Sequence, residues 1–380
     1  MSNAARQAVV SDLYSRSMPA SRDIEPHAGR KFYSQIEGIL TDLCHRLFGA
    51  VFSECRPTAG SAAEEIAIHA LTSVGDPILC LNEVAGHRTW NSEIGHSGMR
   101  GLEIHQVPFD FEEWNVDLDG LSRIASQVGK ASLLVVGTPL PLFPIRCGEI
   151  RSIADELGAK IMYDGAHVLG LIAGHRHPDP LREGADILTG STHKTLSGPV
   201  GGMILTNIEA VSNGIQRYLP GHLSIFGHSR LAALAITLSE WVVFGDAFAE
   251  QIVTNAKTLA ASLYAEGFDV MGKGKGFTES HLVLLNAASL GGGLKTVKKL
   301  EAANIIGSAF RLGNTLDEYS GLRLGVTEMT RYGMREPEMR VIAGLISEAL
   351  HGSTNETKIA KRVSEFRSGY QDVRFSFELP

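Results

Sequence analysis

Between Asp76 and Asn207 the chain alternates short apolar runs with helical patterns, and few folds accommodate that rhythm. The runs are "DPILCLN" (Asp76–Asn82), "LEIHQV" (Leu102–Val107), "SLLVVGT" (Ser132–Thr138), "KIMYD" (Lys160–Asp164), "DILTG" (Asp186–Gly190) and "GGMILTN" (Gly201–Asn207). They are short and β-rich, as buried parallel strands should be. Between them, "GEIRSIADELG" (Gly148–Gly158) carries apolar residues at i, i+3 and i+4 and ends on glycine, as a helix does. This alternation predicts an α/β sheet with helices on both faces.

Downstream, Phe244–Gly267 reads as a long connector helix. A smaller α+β unit follows: "HLVLLNA" (His281–Ala287), a helix near Lys295–Ala303, "GLRLGV" (Gly321–Val326) and a last helix from Pro337 to about Leu350. The mixed tail "KRVSEFRSGYQDVRFSFELP" reads as a loosely packed arm or a dimer contact. The expected division is an N-terminal arm and helix (1–45), a large domain (46–245), a connector helix with a small C-terminal domain (246–352) and a C-terminal arm (353–380).

The formal net charge of -7 argues against nucleic acid or an anionic membrane as partner. No apolar stretch is read as reaching the ~20 residues that span a bilayer, and "MSNAARQAVVSDLYSRS" lacks the form of a secretory signal. Cys44, Cys55, Cys80 and Cys147 lack metal-type spacing, which favours structural, reduced thiols in a cytoplasm and no metal site.

In open α/β sheets, ligands sit at the carboxyl ends of strands. Three features fall there: Asp164 closing "KIMYD", Lys194 in "TGSTHKTLSGPVGG" (Thr189–Gly202), and Thr58, Gly60 and Ser61 ahead of the helix "SAAEEIAIHALTSVG". A partly desolvated lysine amine can condense with an aldehyde. Pyridoxal phosphate is the aldehyde cofactor that also needs a carboxylate on its ring nitrogen and a phosphate cradle. Asp164 would keep that nitrogen protonated, and "TAGSAAEE" would offer backbone N–H groups and the Ser61 hydroxyl at a helix N-terminus. Alone, a strand-end aspartate is commonly a turn residue, and Gly-Ser before a helix commonly an N-cap. Ser61, Asp164 and Lys194 in this order, the last two 194 − 164 = 30 residues apart, carry the reading together.

"YDGAHVLGLIAG" (Tyr163–Gly174) followed by the lysine motif resembles the paired cofactor motifs of serine hydroxymethyltransferases, which are fold-type-I pyridoxal phosphate enzymes. "LFGA" (Leu47–Ala50), "PTAGSAAE" (Pro57–Glu64), "NEVAGHRTW" (Asn82–Trp90) and "GLRLGVTEMTRYG" (Gly321–Gly333) extend the similarity over roughly Glu25 to Leu350. The resemblance implies a large domain with a mostly parallel seven-stranded sheet, a smaller α+β C-terminal domain, and a homodimer with shared active sites. It makes Lys194 the Schiff-base lysine and Asp164 the partner of the ring nitrogen. His87 would stack on the ring, and His167 would lie beside the phenolic oxygen. Gly60 and Ser61 match the phosphate loop, Thr138 a hydroxyl near the ring oxygen, and Ser191 and His193 the positions before the lysine. Arg323 matches the clamp on the substrate's α-carboxylate, with an internal Asp or Glu partner as the bland alternative. Glu25 in "IEPHAGRKFY" matches an active-site glutamate given across the dimer.

Departures from the family pattern fall around the folate site. Val200 replaces the arginine after "GP", and "PGHLSIFGHSR" (Pro220–Arg230) replaces a glycine-rich loop that approaches the neighbour's phosphate. In that segment His222, Ser224, His228 and Arg230 are candidate side-chain replacements for backbone contacts. The stretch after Tyr33 and the loop Gly307–Ser320 are short. The expected function is making or breaking the Cα–Cβ bond of a β-hydroxy-α-amino acid, as a hydroxymethyltransferase, aldolase or transaldolase without strict folate dependence; tetrahydrofolate use stays open. The alternatives are an aminotransferase, racemase, decarboxylase or β-eliminating lyase on the same scaffold, or a non-catalytic binding protein.

Overall fold

In a computed structural model of the chain, residues 1–16, 30–86, 90, 92–224, 226–313, 319–352 and 355–377 are described. Nine strands precede the long helix: β1 (Phe52–Glu54), β2 (Pro77–Leu81), β3 (Glu103–Val107), β4 (Phe109–Asp110), β5 (Asn115–Val116), β6 (Leu133–Val136), β7 (Lys160–Asp164), β8 (Ile187–Ser191) and β9 (Gly202–Thr206). Seven form one sheet in the order β1-β9-β8-β7-β6-β2-β3, while β4 and β5 make a separate hairpin. The pairs β3–β2, β2–β6, β6–β7 and β7–β8 are parallel, and β9 and β1 add antiparallel at one edge. The mostly parallel seven-stranded sheet is therefore present. Every residue of β6, β8 and β9 is buried, as in a sheet with both faces covered.

Register brings the strand ends together. Val136 lies opposite Tyr163, and Asp164 opposite Thr189, so the segments after β6, β7 and β8 leave the sheet side by side. The helix Cys147–Leu157 stops where Gly158 takes a left-handed φ of 68°, which a glycine adopts without steric cost.

The helix His228–Ala265 links this sheet to a second one, formed by β10 (Asp269–Val270), β11 (Leu282–Asn286), β12 (Ser308–Phe310) and β13 (Gly321–Gly325). Their order is β10-β11-β13-β12, antiparallel throughout. The helix begins at His228 rather than near Phe244, and an 18-residue window in it has a mean hydropathy of 1.5. By length and composition alone it could cross a membrane, which corrects the expectation that no stretch is apolar enough. Half of that window is buried inside the protein, where the helix packs on Arg30–Phe48 and Glu336–His351, so a core helix accounts for its apolarity.

The C-terminal segment also differs from expectation. A helix spans Glu356–Ser368, with Asn355 Oδ1 accepting the Thr357 N–H at 2.8 Å, and its Ile359 is fully buried. Beyond it, the Arg374 N–H donates to the Arg331 carbonyl (2.8 Å) and Phe375 stacks on Phe248 at 4.8 Å. The arm is packed: besides Ile359, the side chains of Val363, Phe366, Tyr370 and Phe375 lie against the core, spaced among charged residues that mask them in the composition. Arg331 holds the return: its guanidinium donates to the Phe375 carbonyl (2.7 Å) and pairs with Glu240 at 2.7 Å, both side chains buried.

Removing one partner of a buried pair leaves an uncompensated charge. Glu240→Leu is expected to destabilise the protein by about 3–5 kcal/mol in chemical denaturation, while an exposed pair such as Lys361–Glu365 changes it little when broken. Equal, small effects in the two variants would contradict the role given to Arg331.

Candidate active site

Lys194 sits in the turn that follows β8, and the turn is held from several sides. Thr192 donates its hydroxyl to the Pro199 carbonyl (2.6 Å), the Gly198 N–H returns to the Thr192 carbonyl (2.8 Å), and the Trp241 indole N–H donates to the Leu196 carbonyl (2.7 Å). Thr195 Oγ1 accepts the Gly170 N–H and donates to the His167 carbonyl, both at 3.0 Å. One hydroxyl thus ties the lysine turn to the segment that follows Asp164. A Cβ at Gly170 would collide with the Thr195 backbone, so the approach requires glycine.

Asp164 is 5% exposed, and its Oδ1 accepts the Ala166 N–H at 2.9 Å; among the described residues no hydrogen bond reaches Oδ2. Gly137, at φ 127°, lies against the Asp164 backbone with no room for a side chain. Thr138 follows at once; it is buried, and its hydroxyl accepts the Leu140 N–H at 3.1 Å.

On the other side of the lysine motif, the helix Gly60–Leu71 starts with Ala59 at its N-cap and no side-chain cap. Its first N–H groups are thus left for an anion. A Cβ at Gly60 would fall on Ser191 Oγ, and one at Gly202 on the Ala59 carbonyl. Ser61 therefore sits beside a cradle made of backbone and hydroxyls.

Lys194, His167, His193 and Arg323 line one cavity of about 840 Å³. Burial lowers the Lys194 pKa; the charges of Asp164 and Glu64 work against that shift, and Arg323 adds to it. His193 is exposed, with its pKa lowered first by partial burial and then by the Lys194 charge. On β13, Arg323 Nε donates to Ser308 Oγ (3.0 Å) and Nη1 to the Pro139 carbonyl (3.1 Å). Among the described residues no carboxylate pairs with it, and burial lowers its pKa. Two of its five N–H donors are thus engaged by the protein. The internal Asp or Glu partner considered as the bland alternative is not found among those residues.

Two residues at the site escaped the sequence reading. His281, just ahead of β11, stacks on His167 with ring centroids 5.9 Å apart. Burial first, then the charges of Arg323 and Lys194, push its pKa down to about 3, so the ring is neutral at physiological pH. Glu64 is 3% exposed and close enough to Lys194 to raise its pKa. Two adjacent glutamates in the otherwise apolar run "AAEEIAI" were the available signal.

Glu25 and His87 lie outside the described residues. Of the "PGHLSIFGHSR" side chains, Arg230 Nη2 donates to the carbonyls of Cys55 (2.9 Å) and Arg56 (2.8 Å). His228 is wedged between Tyr33 and Phe226, with its pKa lowered by burial to about 4. His222 faces Glu65 and His69, and Ser224 is exposed.

The family model for serine hydroxymethyltransferase matches residues 3–346. The chain belongs to the serine hydroxymethyltransferase family. The serine hydroxymethyltransferase of Methanothermobacter marburgensis is 39% identical across 99% of this chain and 89% of its own length. That of Thermococcus kodakarensis is 40% identical across 96% and 86%. The crystal structure of L-threonine transaldolase from Pseudomonas fluorescens, in its internal aldimine state, superposes with a TM-score of 0.88 at 28% identity, over 99% of this chain and 87% of that one. Family membership makes the chain a fold-type-I pyridoxal phosphate enzyme with aldol-type chemistry at a Cα–Cβ bond. The site fits the cofactor. It offers a partly desolvated amine, a buried carboxylate whose Oδ2 has no hydrogen bond among the described residues, and a helix start without a side-chain cap beside Ser191.

Since burial disfavours the ammonium form, the neutral Lys194 amine is populated at lower pH than in an ordinary lysine. The rate at which apoprotein takes up pyridoxal phosphate covalently is expected to rise with pH through a midpoint below 10.5. Stopped-flow absorbance across a pH series checks this, and a midpoint at or above 10.5 would contradict the desolvation account.

Proposed function

We propose that the enzyme cleaves and forms the Cα–Cβ bond of a β-hydroxy-α-amino acid, using a free aldehyde as electrophile and not strictly requiring tetrahydrofolate. The observation that carries the reading is Arg323: a half-buried guanidinium without a carboxylate partner among the described residues, lining the same cavity as Lys194. Partial desolvation of an unpaired cation costs free energy, and an α-carboxylate bound in bidentate fashion offsets that cost. When bound, pyridoxal phosphate supplies the aldehyde that holds the substrate amine and a ring that takes up the electrons of the broken bond.

Around it, each side chain has a defined task. Lys194 provides the amine that is exchanged for the substrate's, and Asp164 Oδ2 holds a proton on the ring nitrogen. Gly60, Ser61 and Ser191 hold the phosphate, and Thr138 reaches the ring oxygen. His167, backed by neutral His281, would orient the ring through its phenolic oxygen; His87 is proposed to stack on the ring, and His193 lines the same cavity. A base takes the β-hydroxyl proton, and Glu25 or a histidine serves.

The transaldolase likeness and the changed folate-side segments support a free aldehyde over a folate-bound one. Loss of two or three folate contacts at ~1–2 kcal/mol each weakens that ligand from tenfold to several hundredfold. The amine, aspartate and arginine do not depend on those segments.

Aldehyde release from threonine, serine and α-methylserine, with and without tetrahydrofolate, tests the proposal. Release that added folate hardly changes is expected, and Arg323→Gln should lower kcat/KM by about 2–4 kcal/mol, or roughly 30- to 1000-fold. Strict folate dependence with serine preferred would return the protein to ordinary hydroxymethyl transfer.

The working unit proposed is a cytoplasmic homodimer in which Glu25 serves the partner's site. Mixing inactive Lys194→Ala and Glu25→Gln subunits should restore part of the activity. Mixed dimers without any activity would exclude Glu25 acting across the interface.

A further inference from the structure

Away from Lys194, the helix Gly60–Leu71 carries a second group of chemistry-bearing side chains. Glu65 and His69 are four residues apart and so share one helix face. The helix Glu209–His222, which packs on it, ends by placing His222 against that face. His69 Nδ1 and His222 Nε2 are 3.1 Å apart, and His222 Nδ1 lies 3.5 Å from Glu65 Oε1. One ligand atom from each of the three residues can be chosen so that all lie within 4.8 Å of one another. His96, at the start of the short helix His96–Met99, brings its Nδ1 to 3.9 Å from Glu65 Oε2, and neither of its ring nitrogens is in hydrogen-bonding geometry.

We propose that Glu65, His69 and His222 bind one divalent ion of the zinc class. Two imidazoles and a carboxylate, with the fourth position left to water, form a donor set suited to tetrahedral zinc. Nitrogens bound to one tetrahedral zinc at ~2.0–2.1 Å stand about 3.3 Å apart, close to the 3.1 Å between the two facing ring nitrogens of His69 and His222. His222 gives the ion one nitrogen only, Nε2, and His96 borders the group without joining it.

The three ligands come from two helices far apart in the chain, so their spacing carries no motif, and the sequence alone predicts no metal. The ion's effect would be structural: it clamps the end of Glu209–His222 onto the helix whose start carries Gly60 and Ser61.

The test uses the pyridoxal phosphate-loaded protein, stripped with a chelator and titrated with Zn²⁺, with Co²⁺ as the coloured substitute. Uptake of one equivalent per chain is expected, with the intense visible band of tetrahedral cobalt and a zinc-edge absorption fit requiring imidazole nitrogens at ~2.0–2.1 Å. His69→Gln and His222→Asn should each weaken Zn²⁺ binding by more than about tenfold. Far-UV circular dichroism unchanged from the wild type would report that these variants fold. Absence of saturable one-equivalent uptake by the wild-type protein, a zinc shell of oxygens alone, or undiminished binding in both variants would overturn the proposal.

Discussion

The Thr195 hydroxyl is the contact on which the site's geometry depends. It takes the Gly170 N–H and gives its proton to the His167 carbonyl, so the turn carrying Lys194 cannot shift without moving the segment behind Asp164. Parallel pairing of β7 and β8 brings the two strand ends level, and the hydroxyl fixes the turns beyond them. Gly170 and Gly137 permit this closeness, because a side chain at either would strike the facing backbone. The strand ends and these two glycines together set the distance between the amine and the carboxylate.

The electrostatics follow from that confinement. Lys194 and Arg323 share one cavity, both are desolvated, and the Arg323 charge lowers the lysine pKa further. Asp164 and Glu64 offset part of this. Partly desolvated cations favour anionic ligands, since each anion restores interactions that burial removed. Phosphate at the uncapped helix start and carboxylate at Arg323 are the two anions the layout accommodates. Neutral His281, stacked on His167, adds no charge of its own there.

Much of this was legible in the sequence because it is local. "KIMYD" is a strand from its first residue to its last, and Lys194 follows the end of β8 within a few residues, as read. Elements that draw their stability from distant partners were harder to see. The edge strand β1 is three residues long and exists by pairing with β9, and the β4–β5 hairpin pairs only two residues on each side. The helix Glu356–Ser368 docks through Ile359, Val363 and Phe366, a narrow stripe within an otherwise charged run. His281 and Glu64 reach Lys194 only after the second sheet and the helix Gly60–Leu71 fold against the first, and the group around His222 is assembled in the same way.

The central claim is that Lys194, and no other lysine, holds the cofactor. Borohydride reduction of the pyridoxal phosphate-loaded protein, followed by proteolysis and mass spectrometry, tests it most directly. The account predicts that the reduced cofactor mass is carried by the peptide containing Lys194. The same mass on a peptide bearing any other lysine, with Lys194 unmodified, would contradict it.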